Sequence, residues 1–182
     1  MHPTNTTDEL LDLVDQNDNI IGEIFRNKAN SCPKYIHREV VIIIINEQGE
    51  VLIQKRHKNK KAMPEFWTES VCGHVPKGMS PEAAAQMEMK EELGIVFKPK
   101  FLFKKLVNIW TERHFSYVYI GIIPNKTIIK KEIGQVEEIK FVDKNKFDEL
   151  MESGEKVHGE TLMDLERYWN GEYDEKIAKL IV

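Results

Sequence analysis

The chain is short of cysteine, of charge of one sign, and of long apolar runs, and each shortage excludes something. Cys32 and Cys72 are its two cysteines. That is too few for a disulfide framework, and a reducing, cytoplasmic setting is expected. Net charge is −4 over 182 residues, with 31% charged. So mild an acidity argues against a surface made for nucleic acid polymers or anionic membranes. The most apolar stretch, Val40 to Asn46, is far too short to span a bilayer. No basic segment followed by an apolar run opens the chain, so no signal peptide is expected. The sequons at Asn5 and Asn125 are then read as chance. Internal repeats, low-complexity tracts and long linkers are also missing.

What is present suits a single domain with a sizeable core, 41% of its residues being hydrophobic. After opening residues expected to fray, Leu10–Asp15 and Ile20–Phe25 read as a hairpin. Residues 26–36 read as irregular or briefly helical. His37–Ile45 is β-branched throughout its second half and reads as a strand buried on both faces. Val51–Arg56 returns as a second strand, residues 57–64 form a basic loop, and Phe66–Val75 is short and extended. Further strands are expected at Phe101–Trp110, Phe115–Ile123 and Glu138–Val142, with a helix at Lys144–Glu152. Beyond Gly154 come one or two amphipathic helices broken near Asn170-Gly171. Their apolar positions (Leu162, Leu165, Trp169, Ile177, Leu180, Ile181) suit packing or contact with a second copy in a homodimer. Strands and helices mix without regular alternation, so the fold class is α+β, a mixed sheet between helices. The expected organisation is a hairpin and lead-in (1–35), a core (36–153) and a C-terminal helical extension of the same domain (154–182).

Ser80 can cap a helix with Pro81 at its first position, and Gly94 can stop it. Glu88, Glu91 and Glu92 then stand three and four apart, on one face. Their mutual repulsion is removed by a hard divalent cation, Mg²⁺ or Mn²⁺. Read alone, the same residues also fit a solvated acidic helix end.

The stretch from Gly73 to Ile95 resembles the Nudix box, G-x5-E-x7-R-E-U-x-E-E-x-G-U with U a bulky aliphatic. Gly73, Glu88, Met89, Glu91, Glu92, Gly94 and Ile95 take its positions. The resemblance implies an α/β/α sandwich, with Glu88, Glu91 and Glu92 as metal ligands. It also implies metal-dependent attack on a small diphosphate, usually linked to a nucleoside. The family's first glutamate is Met79 here and its arginine is Met87. An apolar brace between loop and helix in place of an ionic one is expected.

Trp67-Thr68-Glu69-Ser70-Val71-Cys72-Gly73-His74 also resembles the signature of the isopentenyl diphosphate isomerases, a branch of the same fold. That resemblance implies Cys72 as one arm of a proton shuttle and His74 and His37 as metal ligands. Arg56 and Lys60 fall where the branch places basic residues toward the diphosphate. Asn30 stands in place of another of its histidines. Glu112 matches a metal ligand, and His114 takes the place of the proton-handling glutamate. For each residue a plainer role is available: Cys72 as a small buried side chain, His37 as a strand flank, and Arg56 and Lys60 as parts of a solvated loop. Trp67 and Phe66 read as core, and Glu137 and Glu138 as a surface pair or a further acidic site. Hydrolysis of a small diphosphate is favoured. Isomerisation through Cys72 and a non-catalytic diphosphate-binding module are the rivals.

Overall fold

The computed structural model describes residues 8–180. The frayed opening, the Asn5 sequon and Ile181 lie outside them. Strands β1 (Leu10–Val14) and β2 (Ile20–Phe25) form the expected antiparallel hairpin, with Leu10 opposite Phe25. Its turn closes on Asp15, whose Oδ1 accepts from the backbone N–H groups of Asn17 (2.8 Å) and Asn19 (2.9 Å). Asn and Asp favour such turns because their side chains mimic backbone. Helix α1 (Arg26–Ala29) follows, a single turn.

Strand β3 (Ile36–Ile45) organises the molecule. One edge pairs in parallel with β8 (Arg113–Ile122) over ten residues. The other edge has three successive antiparallel partners. They are β1 at Ile36, β6 (Val71–His74) at Glu39–Ile42, and β4 (Val51–Arg56) at Ile44 and Ile45. The sheet therefore forks where β4 leaves β3. Ser70 sits in the fork, fully buried, and its Oγ accepts from Ile44 N–H (2.8 Å) and donates to the Leu52 carbonyl (2.5 Å). It thus satisfies backbone groups that would otherwise be buried without partners. Beyond the fork, β4 pairs with β5 (Trp67–Thr68) on one edge and β9 (Val136–Val142) on the other. Strand β7 (Lys100–Asn108) borders β8.

The β-branched run of β3 is buried on both faces, as its composition predicts. Val40, Ile42 and Ile44 face α2 (Pro81–Leu93) through Ala84, Ala85, Met89 and Leu93. Val41, Ile43 and Ile45 face Trp67, then Phe147 of α3 (Lys144–Glu152) and Leu165 of α4 (Gly159–Trp169). A last short helix, α5 (Asp174–Ala178), follows. Helices thus cover both faces of a mixed sheet, the expected α+β architecture. Helix α2 has the predicted caps. Ser80 Oγ accepts from Ala83 N–H at 3.2 Å, worth about 1 kcal/mol in typical cases, and Gly94 turns left-handed at φ 66°. No helix among the described residues is long and apolar enough to cross a membrane.

Three local expectations shift. The strand expected at 66–75 is two strands, because Glu69 and Ser70 turn into the fork. The strand expected to end at Trp110 stops at Asn108, and β8 begins at Arg113. A tight turn closed by Ile109 N–H to the Glu112 carbonyl (3.1 Å) leaves Trp110 exposed. Trp67 is core as expected, but Phe66 is half-buried, with Lys156 over its ring.

Asp18 anchors the hairpin to the sheet. Its Oδ1 accepts from Arg38 Nε at 2.6 Å, and its Oδ2 from Lys104 Nζ at 2.7 Å and from the Tyr117 hydroxyl. Burial pushes the Asp18 carboxyl up, but Lys104, Tyr117 and Arg38 outweigh it and hold it below its ordinary value.

Candidate active site

The fork opens into a cleft of about 370 Å³ between α2 and α4. Glu88, Glu91, Glu92, Arg56, Lys60, Cys72, His74 and Glu112 all line it. It is built from side chains that single elements cannot satisfy alone.

The α2 side carries the three glutamates. Glu88 crosses Gly73: a Cβ there would stand 2.2 Å from the Glu88 carboxyl carbon. Only glycine leaves that space. Glu92 is 8% exposed and accepts from Gln54 Nε2 at 2.8 Å, while Glu91 is exposed. Burial, then the charges of Glu92 and Glu91, push Glu88 up to about 8. Burial raises Glu92 too, against Gln54, Lys60 and Arg56. Carboxylates so placed are costly without a cation. Lys60 is lowered by burial and by neighbouring Arg56, so both bases serve the same cleft as the glutamates. Met79 packs under α2 as a brace requires, but Met87 lines the cleft and does not join that core. The apolar brace is therefore one-sided. Glu137 and Glu138 pair with His57 and Lys140 outside the cleft.

Three strands assemble a second donor set. His37 and Glu39 are two apart on β3 and so share a face. The sheet register sets His74 beside Glu39 and His114 beside His37. The His37 ring stacks on His74 with centroids 5.1 Å apart, and His114 is tilted against it at 5.5 Å. Glu39 Oε1 lies 3.1 Å from His74 Nε2 and 3.5 Å from His37 Nε2, and its Oε2 lies 3.4 Å from His114 Nε2. His37, Glu39, His74 and Glu112 each offer a ligand atom within 4.8 Å of the others. Burial pushes His74 down to about 3 and lowers His114, in each case against the opposing pull of the Glu39 carboxylate. Glu39 is held ionised, its burial outweighed by His114, His74 and His37. Burial and Glu39 push Glu112 up to about 7. Imidazoles with carboxylates are a chemically suitable set for a divalent transition metal. Asn30 also reaches this group, its amide 3.1 Å from His74 Nε2.

Cys72 lies between the two sets. Its Sγ is 3.5 Å from Glu69 Oε2, and burial and Glu69 push the thiol well up, so it is protonated. Toward α4, Glu69 Oε2 also accepts from Thr161 Oγ1 at 2.6 Å. Lys105 Nζ bridges Glu160 (2.9 Å) and Asp164 (2.6 Å), and burial pushes Asp164 up to about 6 despite that partner.

The structure thus brings Arg56, Lys60, Cys72, His74, Glu88, Glu91, Glu92, Glu112 and His114 to one cleft, with His37 fully buried behind it, and leaves Glu137 and Glu138 outside. Glu39, Gln54, Glu69, Lys105 and Asp164 escaped the sequence reading. Glu39 had a signal: a carboxylate two residues after His37, immediately before the apolar run of the strand.

The model of the NUDIX domain matches residues 35–165. An uncharacterized Nudix hydrolase of Listeria monocytogenes is 30% identical over 144 residues, covering 79% of this chain and 85% of its own. An isopentenyl-diphosphate Delta-isomerase of Photorhabdus laumondii is 32% identical over 157 residues, covering 83% and 86%. The crystal structure of a Deinococcus radiodurans protein superposes with TM-score 0.70 at 20% identity, over 88% of this chain and 99% of its own, and shares the fold. The chain belongs to the NUDIX family.

Proposed function

We propose that this Nudix protein is a divalent-metal-dependent hydrolase that cleaves a small diphosphate-linked substrate, a nucleoside diphosphate derivative in the first instance. The observation that carries the reading is the convergence of Glu88, Glu91 and Glu92 with Arg56 and Lys60 on one cleft, two of the carboxylates being held there at elevated pKa. Mg²⁺ or Mn²⁺ held by these glutamates would polarise the diphosphate and lower the pKa of a bound water. The protein's own part is placement. Gln54 fixes Glu92, Gly73 clears the path of Glu88, and Arg56 and Lys60 neutralise phosphate oxygens. His37, Glu39, His74 and Glu112 would hold a second ion of transition-metal type.

A second reading is isopentenyl diphosphate isomerisation with Cys72 as the acid and His114 as its counterpart. It is favoured by the protonated thiol at the cleft and by the isomerases among the relatives. A third is a diphosphate-binding module without turnover. The test is a Mg²⁺/Mn²⁺ assay over nucleoside diphosphate derivatives, dinucleotides, coenzyme A and isopentenyl diphosphate, reading phosphate release and allylic isomer together. Phosphate release lost in Glu92→Gln and kept in Cys72→Ala is expected. Isomer formation abolished by Cys72→Ala would replace hydrolysis with isomerisation. Binding with neither product would leave the module.

A further inference from the structure

The α4 side of the cleft takes no part in holding diphosphate or metal in the function proposed above, yet it is the more elaborately built side. Glu69, Lys105, Ser116, Glu160 and Asp164 all line it. Asp164 is 1% exposed and Ser116 2%. Lys105 meets Asp164 Oδ1, but Asp164 Oδ2 and Ser116 Oγ are buried with no hydrogen-bond partner among the described residues. Buried polar atoms are nearly always paired, so two orphans at one wall point to a partner from outside the chain. Three of the five residues are carboxylates, which accept hydrogen bonds when ionised. Lys105 satisfies one oxygen on each of Glu160 and Asp164 and leaves the rest available.

We infer that this wall is a recognition subsite for a hydrogen-bond-donating organic group, the hydroxyl- or amine-bearing part of a diphosphate substrate. The inference rests on the proposed use of the cleft for a diphosphate and names what lies beyond it. An alkyl group placed here would leave the already buried Asp164 Oδ2 and Ser116 Oγ without a hydrogen-bond partner. A site built for donors rejects the analogue lacking them far more strongly than an apolar pocket rejects an extra hydroxyl. The wall therefore selects against an isoprenoid chain.

The test compares ribose 5-diphosphate with isopentenyl diphosphate. Both are monoesters of diphosphate on a five-carbon group, and they differ in hydroxyl content. Binding is titrated by calorimetry with Mg²⁺ on full-length Glu92→Gln protein, so that turnover does not intervene. We expect ribose 5-diphosphate to bind about 100-fold more tightly, and Asp164→Asn in that background to cut the preference about tenfold. Ser116→Ala, which removes a single oxygen, gives a second reading where Asp164→Asn does not fold. Equal or tighter binding of isopentenyl diphosphate, or no binding of ribose 5-diphosphate, overturns the inference. Phosphate release by the parent chain is measured in parallel. A preference without turnover removes the hydrolytic function and keeps the subsite, and turnover without preference does the reverse.

Discussion

Asp18 and the α2 glutamates are both acidic features near the sheet, and they are built in opposite ways. Asp18 is one carboxylate with three side-chain donors, Arg38, Lys104 and Tyr117, and its pKa is held down. Glu88, Glu91 and Glu92 are three carboxylates sharing one helix face; burial raises both Glu88 and Glu92, the neighbouring carboxylates raise Glu88 further, and Lys60 and Arg56 only partly offset the burial of Glu92. The first arrangement ties the hairpin to β3, β7 and β8. The second opposes folding and is retained at a cleft, the pattern expected of a functional site.

The contrast is sharpest in Glu92→Gln. It removes one charge from the crowded face and keeps the shape that Gln54 holds. Phosphate-releasing turnover should fall by roughly 100-fold or more, the scale on which single charge-stabilising groups act, while the thermal midpoint holds or rises. Asp18→Asn should behave inversely. Breaking a well-buried charge pair leaves Arg38 and Lys104 without their counter-charge, for about 2–3 kcal/mol in urea unfolding, with kcat little changed. A large loss of kcat in Asp18→Asn would break the comparison.

Gly73→Ala is a subtler probe. The new Cβ would displace the tip of Glu88, a flexible side chain, so the fold should tolerate it. We expect activity to drop about tenfold with a midpoint shift of a few degrees at most. Restored activity in raised Mn²⁺ would place the defect in cation affinity.

The smallest effect concerns pH. Glu88 sits at about 8 when folded, above its unfolded value, so its ionisation opposes the fold. Metal-free protein should lose stability as pH rises from the ordinary carboxylate range through about 8, with the penalty complete above that. Added Mn²⁺ or Glu88→Gln should flatten the decline in a thermal-unfolding series. Asp18 has the opposite sign. Its contribution is present above its ordinary value and is lost as pH falls through its lowered folded value, so the Asp18→Asn deficit should shrink in acid.

Much of the α2 side was legible in sequence because its determinants are local. Ser80, Pro81 and Gly94 bound the helix, and spacing alone puts Glu88, Glu91 and Glu92 on one face. The apolar run of β3 likewise announced a strand covered on both sides. The histidine cluster was half legible. Individual histidines stood out by resemblance, but their meeting point depends on the parallel register of β3 with β8 and the antiparallel register with β6. Nothing local encodes those registers, and Glu39 was missed with them. The α4 wall was not legible at all. Thr161 reaches Glu69 across 92 positions and Asp164 reaches Lys105 across 59, while the periodicity of α4 reported its packing through Leu165 and not its polar face.

That separation along the chain also divides the labour of inheritance. The residues proposed for bond cleavage are concentrated in a stretch from Arg56 to Glu92, and two of the five residues of the wall proposed for choosing a substrate, Glu160 and Asp164, come from α4, far downstream. Substitutions in α4 can therefore retune which molecule is accepted while the cleavage apparatus stays as it is.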